Sequence, residues 1–439
     1  MTTRLDPPQP VLEIADRLER AGYETWCVGG AVRDALLGHP HLDWDLATAA
    51  RPAEVQKLFR RTVPVGIEFG TVGVLDKAGT LHEVTTFRRD VKTDGRHAVV
   101  EFGASLDDDL ARRDFTINAI AWSPSRAELR DPFHGRSDLE ARLVRAVGDA
   151  NARMEEDRLR ALRAIRFASR FEFEIEPATW RAIVASAPHM GRLSAERVKQ
   201  EIEKTMEQVR QPSRAFALWR DSGAFATLVP ALASVSDASL AAIDAAPRPV
   251  GGPRASERRL IRLAMLFLPL PAAEATRVLT ALRFSKLDVA WIAALVERWA
   301  VLGDEMRDAL MADALPDLVV RRWVAATGRT RIRALLRIAA ARWSADRAAG
   351  RPAPEPVVVK RLARRATAIA FRDPVELSDL AVDGDDLRRA GFVPGRELGK
   401  ILHALLDWVL DDPARNVPDL LIARARELRD GPTDQRGPA

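Results

Sequence analysis

The sequence predicts an α+β protein: a mixed head of sheet and helices over residues 1–145, followed by an all-α remainder. Three observations predict it. Short apolar runs alternate with glycine turns in the first third of the chain. After residue 150 glycine thins out and apolar residues recur at intervals of three and four. Two Pro/Gly-rich breaks, APRPVGGPRA (246–255) and AGRPAPEP (349–356), then interrupt an otherwise helical pattern.

The elements follow in order. VLEIADRLERAG (11–22) sets Leu12, Ile14, Ala15 and Leu18 at near-helical spacing, and Gly22 supplies a stop. YETWCVGG reads as a short buried strand ending in a turn, AVRDALLG as a short helix closed by Gly38, and LDWDLAT as a second strand. TVGVLD (71–76) and LHEVTTFR (81–88) read as further strands, and RDVKTDGRHAVVEFGASLDDD (89–109) as a polar, irregular connection. In DRLRALRAIRFASRF, Leu159, Leu162, Ile165 and Ala168 form one helical stripe. No fixed-period repeat is visible.

Composition narrows the class. The chain has 439 residues, 47% of them hydrophobic, enough for real cores. Its net charge is +5 and its sequence pI is about 9.7. Most of its 67 basic residues are arginine, which suits bidentate contact with phosphate. GC-rich codon usage gives the same bias. The single cysteine, Cys27, excludes an intrachain disulfide and a cysteine-based zinc site, and reads as a small apolar residue in a buried strand. The N-terminus has no signal-peptide core, and no apolar run approaches 18 residues. The expectation is a cytoplasmic protein with no membrane partner.

The stretch WCVGGAVRDALLGHPHLDWDLAT (26–48) carries the chemistry. On a strand, Asp43 and Asp45 would project from one face. Two carboxylates there repel unless a cation lies between them, and magnesium suits such a pair because it takes oxygen ligands and keeps positions for water and phosphate. Gly29-Gly30 before a helix leaves backbone N–H groups open to a phosphate. Arg33 follows in the first turn. Each feature alone has a plain alternative: solvated aspartates, an ordinary strand–turn–helix.

Here the residues resemble a known family. GGAVRD-ALLG followed by DWD looks like the signature of the polymerase-β-like nucleotidyltransferases of the class II tRNA nucleotidyltransferase and bacterial poly(A) polymerase family. RRDFTINAIAW (112–122) is similar to the RRD-x-x-x-N-A motif, and DPFHGRSDLEARLVRAVGD (131–149) to the DP-x-x-G-x-x-D segment. EEDRLRALRAIRFASRF (155–171) resembles ED-x-x-R-x-x-R-A-x-R-F, and LSAERVKQE (193–201) resembles ER-V-x-x-E. Five motifs in order span about residues 24–205.

The resemblance implies a nucleotidyltransferase head over 1–145, a helical neck with a base-recognition motif over 146–215, a helical body over 216–350 and a helical, tRNA-binding tail over 351–439. It implies that Asp43 and Asp45 bind Mg²⁺ and that Glu83 completes the catalytic carboxylates. A surface glutamate is the alternative for Glu83. Gly29, Gly30 and Arg33 would hold the triphosphate. Arg113 and Asp114 would contact ribose and phosphates, supported by Asn118. Asp157 and Arg160, three apart on a helix, would read the Watson–Crick edge shared by C and A, with Arg163 and Arg166 also nucleotide-binding. For that pair alone, a surface ion pair is the alternative. The segment 89–109 would be the loop that helps the pocket switch from C to A.

The implied activity is template-independent addition of CCA to the 3′ end of tRNA from CTP and ATP, with release of pyrophosphate. The rivals are a poly(A) polymerase, a partial enzyme adding CC or A alone, and an inactive RNA-binding relative. VPVGIEFGTVGVL (63–75) resembles the tRNA enzymes rather than the poly(A) polymerases, and the intact DxD speaks against an inactive relative. The absence of a His-Asp dipeptide excludes an appended metal-dependent phosphohydrolase domain. VPGRELGKILHALLDWVLDDPARNVPDLL (393–421) resembles the C-terminal helical region of the tRNA enzymes, whose basic residues would track tRNA phosphates.

Overall fold

The structure is a computed structural model that describes residues 5–39, 43–93, 98–249, 254–312 and 315–430. The chain divides into two compact units, 1–234 and 235–439.

The first unit opens with α1 (Gln9–Arg20), whose Val11, Ile14, Ala15 and Leu18 are buried. Gly22, at φ +88°, turns the chain into β1 (Thr25–Val28). Then come α2 (Gly30–Leu36), β2 (Asp45–Thr48), α3 (Pro52–Leu58), β3 (Thr62–Gly66), β4 (Thr71–Leu75) and β5 (Leu81–Thr86). The segment expected to be irregular is instead a hairpin, β6 (Arg88–Thr93) with β7 (Ala98–Phe102), followed by α4 (Leu106–Ala111). Residues 94–97 of the expected loop lie outside the described residues. Antiparallel pairing overrides the polar composition of this hairpin, and the Ser105–Asp108 capping box starts the helix.

Two short strands, β8 (Ala121–Ser123) and β9 (Glu128–Arg130), complete a seven-stranded mixed sheet of order β3-β4-β5-β2-β1-β8-β9. β2 and β5 run parallel, whereas β1 pairs antiparallel with β2 and β8. All four residues of β1 are buried, Cys27 among them, as its apolar reading required. One sheet face carries Trp26, Val28 and Ala47, packed with Phe87, Leu106 and Leu110. By alternation Asp45 lies on that same face.

After α5 (Gly135–Glu140) the chain becomes mainly helical, with α6 (Ala150–Glu156), α7 (Leu159–Phe171), α8 (Pro177–Ser186), α9 (Ala195–Gln208), α10 (Pro212–Asp221) and α11 (Ala224–Leu228). A short parallel pair of strands, β10 (Leu143–Val144) with β11 (Glu174–Ile175), lies among them. Leu159, Leu162, Ile165 and Ala168 are buried on α7, the stripe expected from their spacing.

Among the described residues the second unit is wholly helical: α12 (Asp237–Asp244), α13 (Ala255–Phe267), α14 (Ala272–Ala281), α15 (Lys286–Met311), α16 (Asp317–Thr327), α17 (Ile332–Ala348), α18 (Pro356–Arg372), α19 (Gly384–Arg389), α20 (Arg396–Asp411) and α21 (Pro418–Asp430). Leu387, Leu405, Val409, Leu421 and Ala425 form the core of its last helices. The break at 349–356 turns α17 into α18. The break at 246–255 separates α12 from α13, and its residues 250–253 lie outside the described residues. Among the described residues no single helix is long and apolar enough to cross a membrane.

Candidate nucleotide-transfer site

The site lies where β1 runs out into the glycine turn. β2 begins only at Asp45, so Asp43 lies in the lead-in rather than on the strand, and Leu42 lies outside the described residues. This corrects the expectation of a strand carrying both aspartates. Trp44 is buried and Asp43 exposed, so the chain still turns opposite sides at successive positions. The parallel register pairs Leu46 with Val84, which sets Asp45 beside Glu83 on one face. Burial, then the charges of Glu83 and Asp43, push the Asp45 carboxyl up to about 6, with Arg113 acting in the opposite sense. The three carboxylates are thus electrostatically coupled. Among the described residues, however, no three His, Cys, Asp or Glu side chains converge into a ready cage for a metal ion.

Gly29 stands at φ +76°, a conformation that glycine adopts without strain. A Cβ there would lie 3.0 Å from Arg113 Nη1 and 4.0 Å from Asp45 Oδ2. The glycine therefore lets a guanidinium and a carboxylate approach one turn of backbone. Arg113 Nη2 donates to Asp109 Oδ2 at 3.1 Å, and Nη1 donates to the Asn118 carbonyl at 3.5 Å. Its buried Nε has no hydrogen-bond partner among the described residues. Asp109 is fully buried. Burial raises its pKa, but Arg113 and Arg112 outweigh that and hold the carboxyl below its ordinary range.

Arg33 and Asn118 form a layer beneath. Arg33 is 3% exposed. Its Nε donates to Asp34 Oδ1 at 2.7 Å and its Nη1 to Asn118 Oδ1 at 2.5 Å. Its guanidinium carbon lies 5.0 and 4.7 Å from the Phe167 and Phe171 ring centroids. The side chain expected at the triphosphate is thus engaged in the core. Asn118 Nδ2 donates to Asp114 Oδ1 at 2.8 Å, and Arg163 Nε donates to Asp114 Oδ2 at 2.9 Å. Burial opposes the Asp114 charge, but Arg163 and Asn118 outweigh it and hold the carboxyl below its ordinary range. One chain of polar contacts therefore runs from α2 through the 116–118 turn to α7.

Asp157 and Arg160 do not share a helix. Asp157 is extended, at φ −149°, in the joint between α6 and α7. Its Oδ1 accepts from Leu159 N at 3.0 Å, a local bond that competes with helix continuation, and its Oδ2 accepts from Arg197 Nη2 at 2.6 Å. Arg160 donates from Nη1 to Glu156 Oε2 at 2.6 Å and from Nη2 to the Arg112 carbonyl at 3.0 Å. Each partner of the expected pair is thus held by other residues. Arg166 is 4% exposed; it donates to Glu201 Oε2 at 2.7 Å and to Gln208 Oε1 at 3.1 Å. It clamps α7 to α9.

A family model described as "Poly A polymerase head domain" matches residues 25–145, and "Probable RNA and SrmB- binding site of polymerase A" matches 172–235. The curated CCA-adding enzyme of Geobacillus thermodenitrificans (strain NG80-2) is 47% identical over 205 residues, 46% of this chain and 50% of the relative. That of Streptococcus mutans is 46% identical over 200 residues, 45% of this chain and 49% of the relative. The alignments thus span about half the length of these curated relatives. The crystal structure of the Bacillus stearothermophilus CCA-adding enzyme in complex with CTP matches with TM-score 0.75 and 32% identity, covering 96% of this chain and 97% of that one. The chain belongs to the CCA-adding enzyme family. The Thermotoga maritima CCA-adding enzyme complexed with tRNA shares the fold at TM-score 0.66 and 22% identity.

Several residues of this CCA-adding family member were not singled out from the sequence, although most sit inside the motifs quoted. Arg197 and Glu201, in LSAERVKQE, tether Asp157 and Arg166. Asp131 accepts from the Gly135 and Arg136 amides, and Asp138 accepts from Thr116 Oγ1 at 2.6 Å, so DPFHGRSD braces the turn that presents Asn118. Asp109 precedes Arg113 by four residues, the helical spacing of an ion pair, and that spacing was the available signal.

Proposed function

We propose that the chain adds C, C and A to the 3′ end of tRNA from CTP and ATP, releasing pyrophosphate. The observation that carries this reading is the approach of Asp45 and Arg113 to Gly29, with Glu83 beside Asp45 across the β2–β5 ladder. A cation would offset the burial and the charges of Glu83 and Asp43 that push the Asp45 carboxyl up to about 6, and the buried Arg113 Nε lacks an acceptor among the described residues. Carboxylate oxygens suit magnesium, which needs only one or two of them beside substrate phosphates. Asp43 and Asp45 would hold it, with Glu83 alongside. When bound, a pair of such ions lowers the pKa of the attacking RNA hydroxyl and neutralises charge on the phosphates.

The protein's own groups do the rest. Gly29 and Gly30 leave the turn open to the triphosphate, and Arg113 neutralises it. Arg33, Asn118 and Asp114 position that turn from beneath. Asp157 and Arg160 read the base. Each Asp157 oxygen retains a lone pair for the exocyclic amine of cytosine or adenine, and Arg160 retains donors for the adjacent ring nitrogen. Guanine and uracil would set a carbonyl against the carboxylate, an unpaired buried acceptor costing about 1–3 kcal/mol. Arg163 and Arg166 act through Asp114 and Glu201. The division at residues 145, 215 and 350, with a tRNA-binding tail, belongs to the same reading.

The test is a tRNA transcript lacking its CCA end, incubated with the protein, Mg²⁺, CTP and ATP, with the product's 3′ end sequenced. Addition of C, C and A followed by a stop supports the reading. A long A ladder indicates a poly(A) polymerase, and CC or A alone a partial enzyme. No addition sinks the transfer activity.

A further inference from the structure

The sheet face that carries Asp45 does not end at the carboxylates. The registers pair Glu83 with Gly73, and Gly73 with Val63. Asp45, Glu83, Gly73 and Val63 therefore form one row across β2, β5, β4 and β3. By alternation Arg61 lies on the same face in the lead-in to the edge strand, and Leu81 on that of β5. A register shift between Pro64 and Gly66 interrupts the alternation at Val65, whose side chain reaches the same face over Gly73. A Cβ on Gly73 would come within 2.6 Å of Leu81 Cδ1 and 2.9 Å of Val65 Cγ2. Those two side chains thus close over the glycine and make the surface continuous. Val63, Val65 and Leu81 are 38%, 44% and 37% exposed.

We propose that this apolar platform holds the last nucleosides of the RNA acceptor; the inference rests on the nucleotide-transfer reading above. Strands are ~4.8 Å apart, so the platform starts one strand spacing beyond Glu83 and reaches about two. An RNA 3′-hydroxyl that meets the carboxylates must bring its own nucleoside, and the one before it, across that span. Glycine flanked by branched aliphatics offers a flat apolar bed to a base face, and contact through that face tolerates any base. Arg61, exposed at the rim, donates from Nη1 to the Asp76 carbonyl at 3.0 Å and keeps further donors for a phosphate. An exposed apolar edge strand is a liability unless it is covered in use. A protein or a second copy seated on this face would bar RNA from Asp45, so continuity with the carboxylates selects RNA.

The experiment uses the full chain and a tRNA transcript lacking CCA, with 4-thiouridine as its last or second-last nucleoside. Irradiation followed by peptide mapping is expected to place the crosslink within residues 61–83, and Val65→Asp to abolish it. In steady state Val65→Asp is expected to raise KM for the transcript about tenfold and to leave KM for CTP within about twofold, while Val65→Thr, of the same shape, falls between. Crosslinks confined to other segments overturn the platform, as does a Val65→Asp protein whose two KM values move together or not at all. A wild-type protein that crosslinks at 61–83 yet transfers no nucleotide refutes the transfer reading alone and leaves the RNA platform standing.

Discussion

Asp45 and Glu83 stand side by side across the parallel ladder of β2 and β5, and the half-buried Asp45 carboxyl holds its proton up to about pH 6. An aspartate whose folded pKa exceeds its ordinary 3.8 binds more protons in the folded than in the unfolded chain between those values. Its contribution to stability is therefore present at low pH, falls as pH rises from about 4 to about 6, and stays low above that. A shift of roughly two units sets an upper bound of ~3 kcal/mol. In chelator, the stability of Asp45→Asn relative to wild type is expected to rise across that window, measured by urea unfolding. A pH-independent difference refutes the coupling. Added Mg²⁺ should stabilise wild type and not the variant.

Gly135→Ala is expected to destabilise the head. A Cβ at this position would lie 2.1 Å from the Thr116 carbonyl oxygen and 2.8 Å from Ile120 Cγ1, and a backbone atom cannot swing away. The turn bearing Asn118 must shift, at about 1–3 kcal/mol. A thermal melt reads the loss. An unchanged melting temperature would mean that α5 can slide off the turn without penalty.

Which parts were legible in the sequence follows from what each signal depends on. Helical stripes such as Leu159–Leu162–Ile165 depend on local periodicity, and they reappear as buried faces. Cys27 in a buried strand and the turn at Gly29 were equally local. The β6–β7 hairpin was missed because its polar residues carry no apolar alternation, so pairing alone defines it. Side-chain assignments fared by distance. Asp45 and Glu83 meet through strand register, which a resemblance can imply but spacing cannot. Arg33, Arg163 and Arg166 sit in motifs that suggest ligand contact, yet their partners Asn118, Asp114 and Glu201 lie far along the chain, and only the fold reveals that these cations are engaged within the protein.

Arg33→Met is expected to act on stability before it acts on substrate affinity. Removing the cation takes the 2.7 Å Arg33 donor from the Asp34 carboxylate, which is 2% exposed and still faces Arg170 Nη2 at 3.2 Å, and takes the donor from Asn118 Oδ1. Breaking a buried pair in this way costs about 3–5 kcal/mol. Urea unfolding measures it. A variant of wild-type stability with a raised KM for CTP would instead make Arg33 a phosphate contact.

Arg160→Ala and Arg197→Ala separate reading from positioning at the base site. Arg160 would donate to the base itself, so its removal should lower kcat/KM for CTP and ATP and narrow their advantage over UTP and GTP by about 1–3 kcal/mol, roughly 10- to 100-fold. Arg197 would act on the base through Asp157, which it holds at 2.6 Å. Without it the carboxylate keeps its bond from Leu159 N and its charge, so discrimination should weaken by less, about threefold to tenfold. Arg197→Lys keeps the charge while losing the planar fork, and should recover part of the discrimination. The ratio of kcat/KM for each nucleotide on one transcript measures all three variants. Equal losses from Arg160→Ala and Arg197→Ala would place Arg197 at the base. Unchanged ratios in both would move base selection away from the α6–α7 joint altogether.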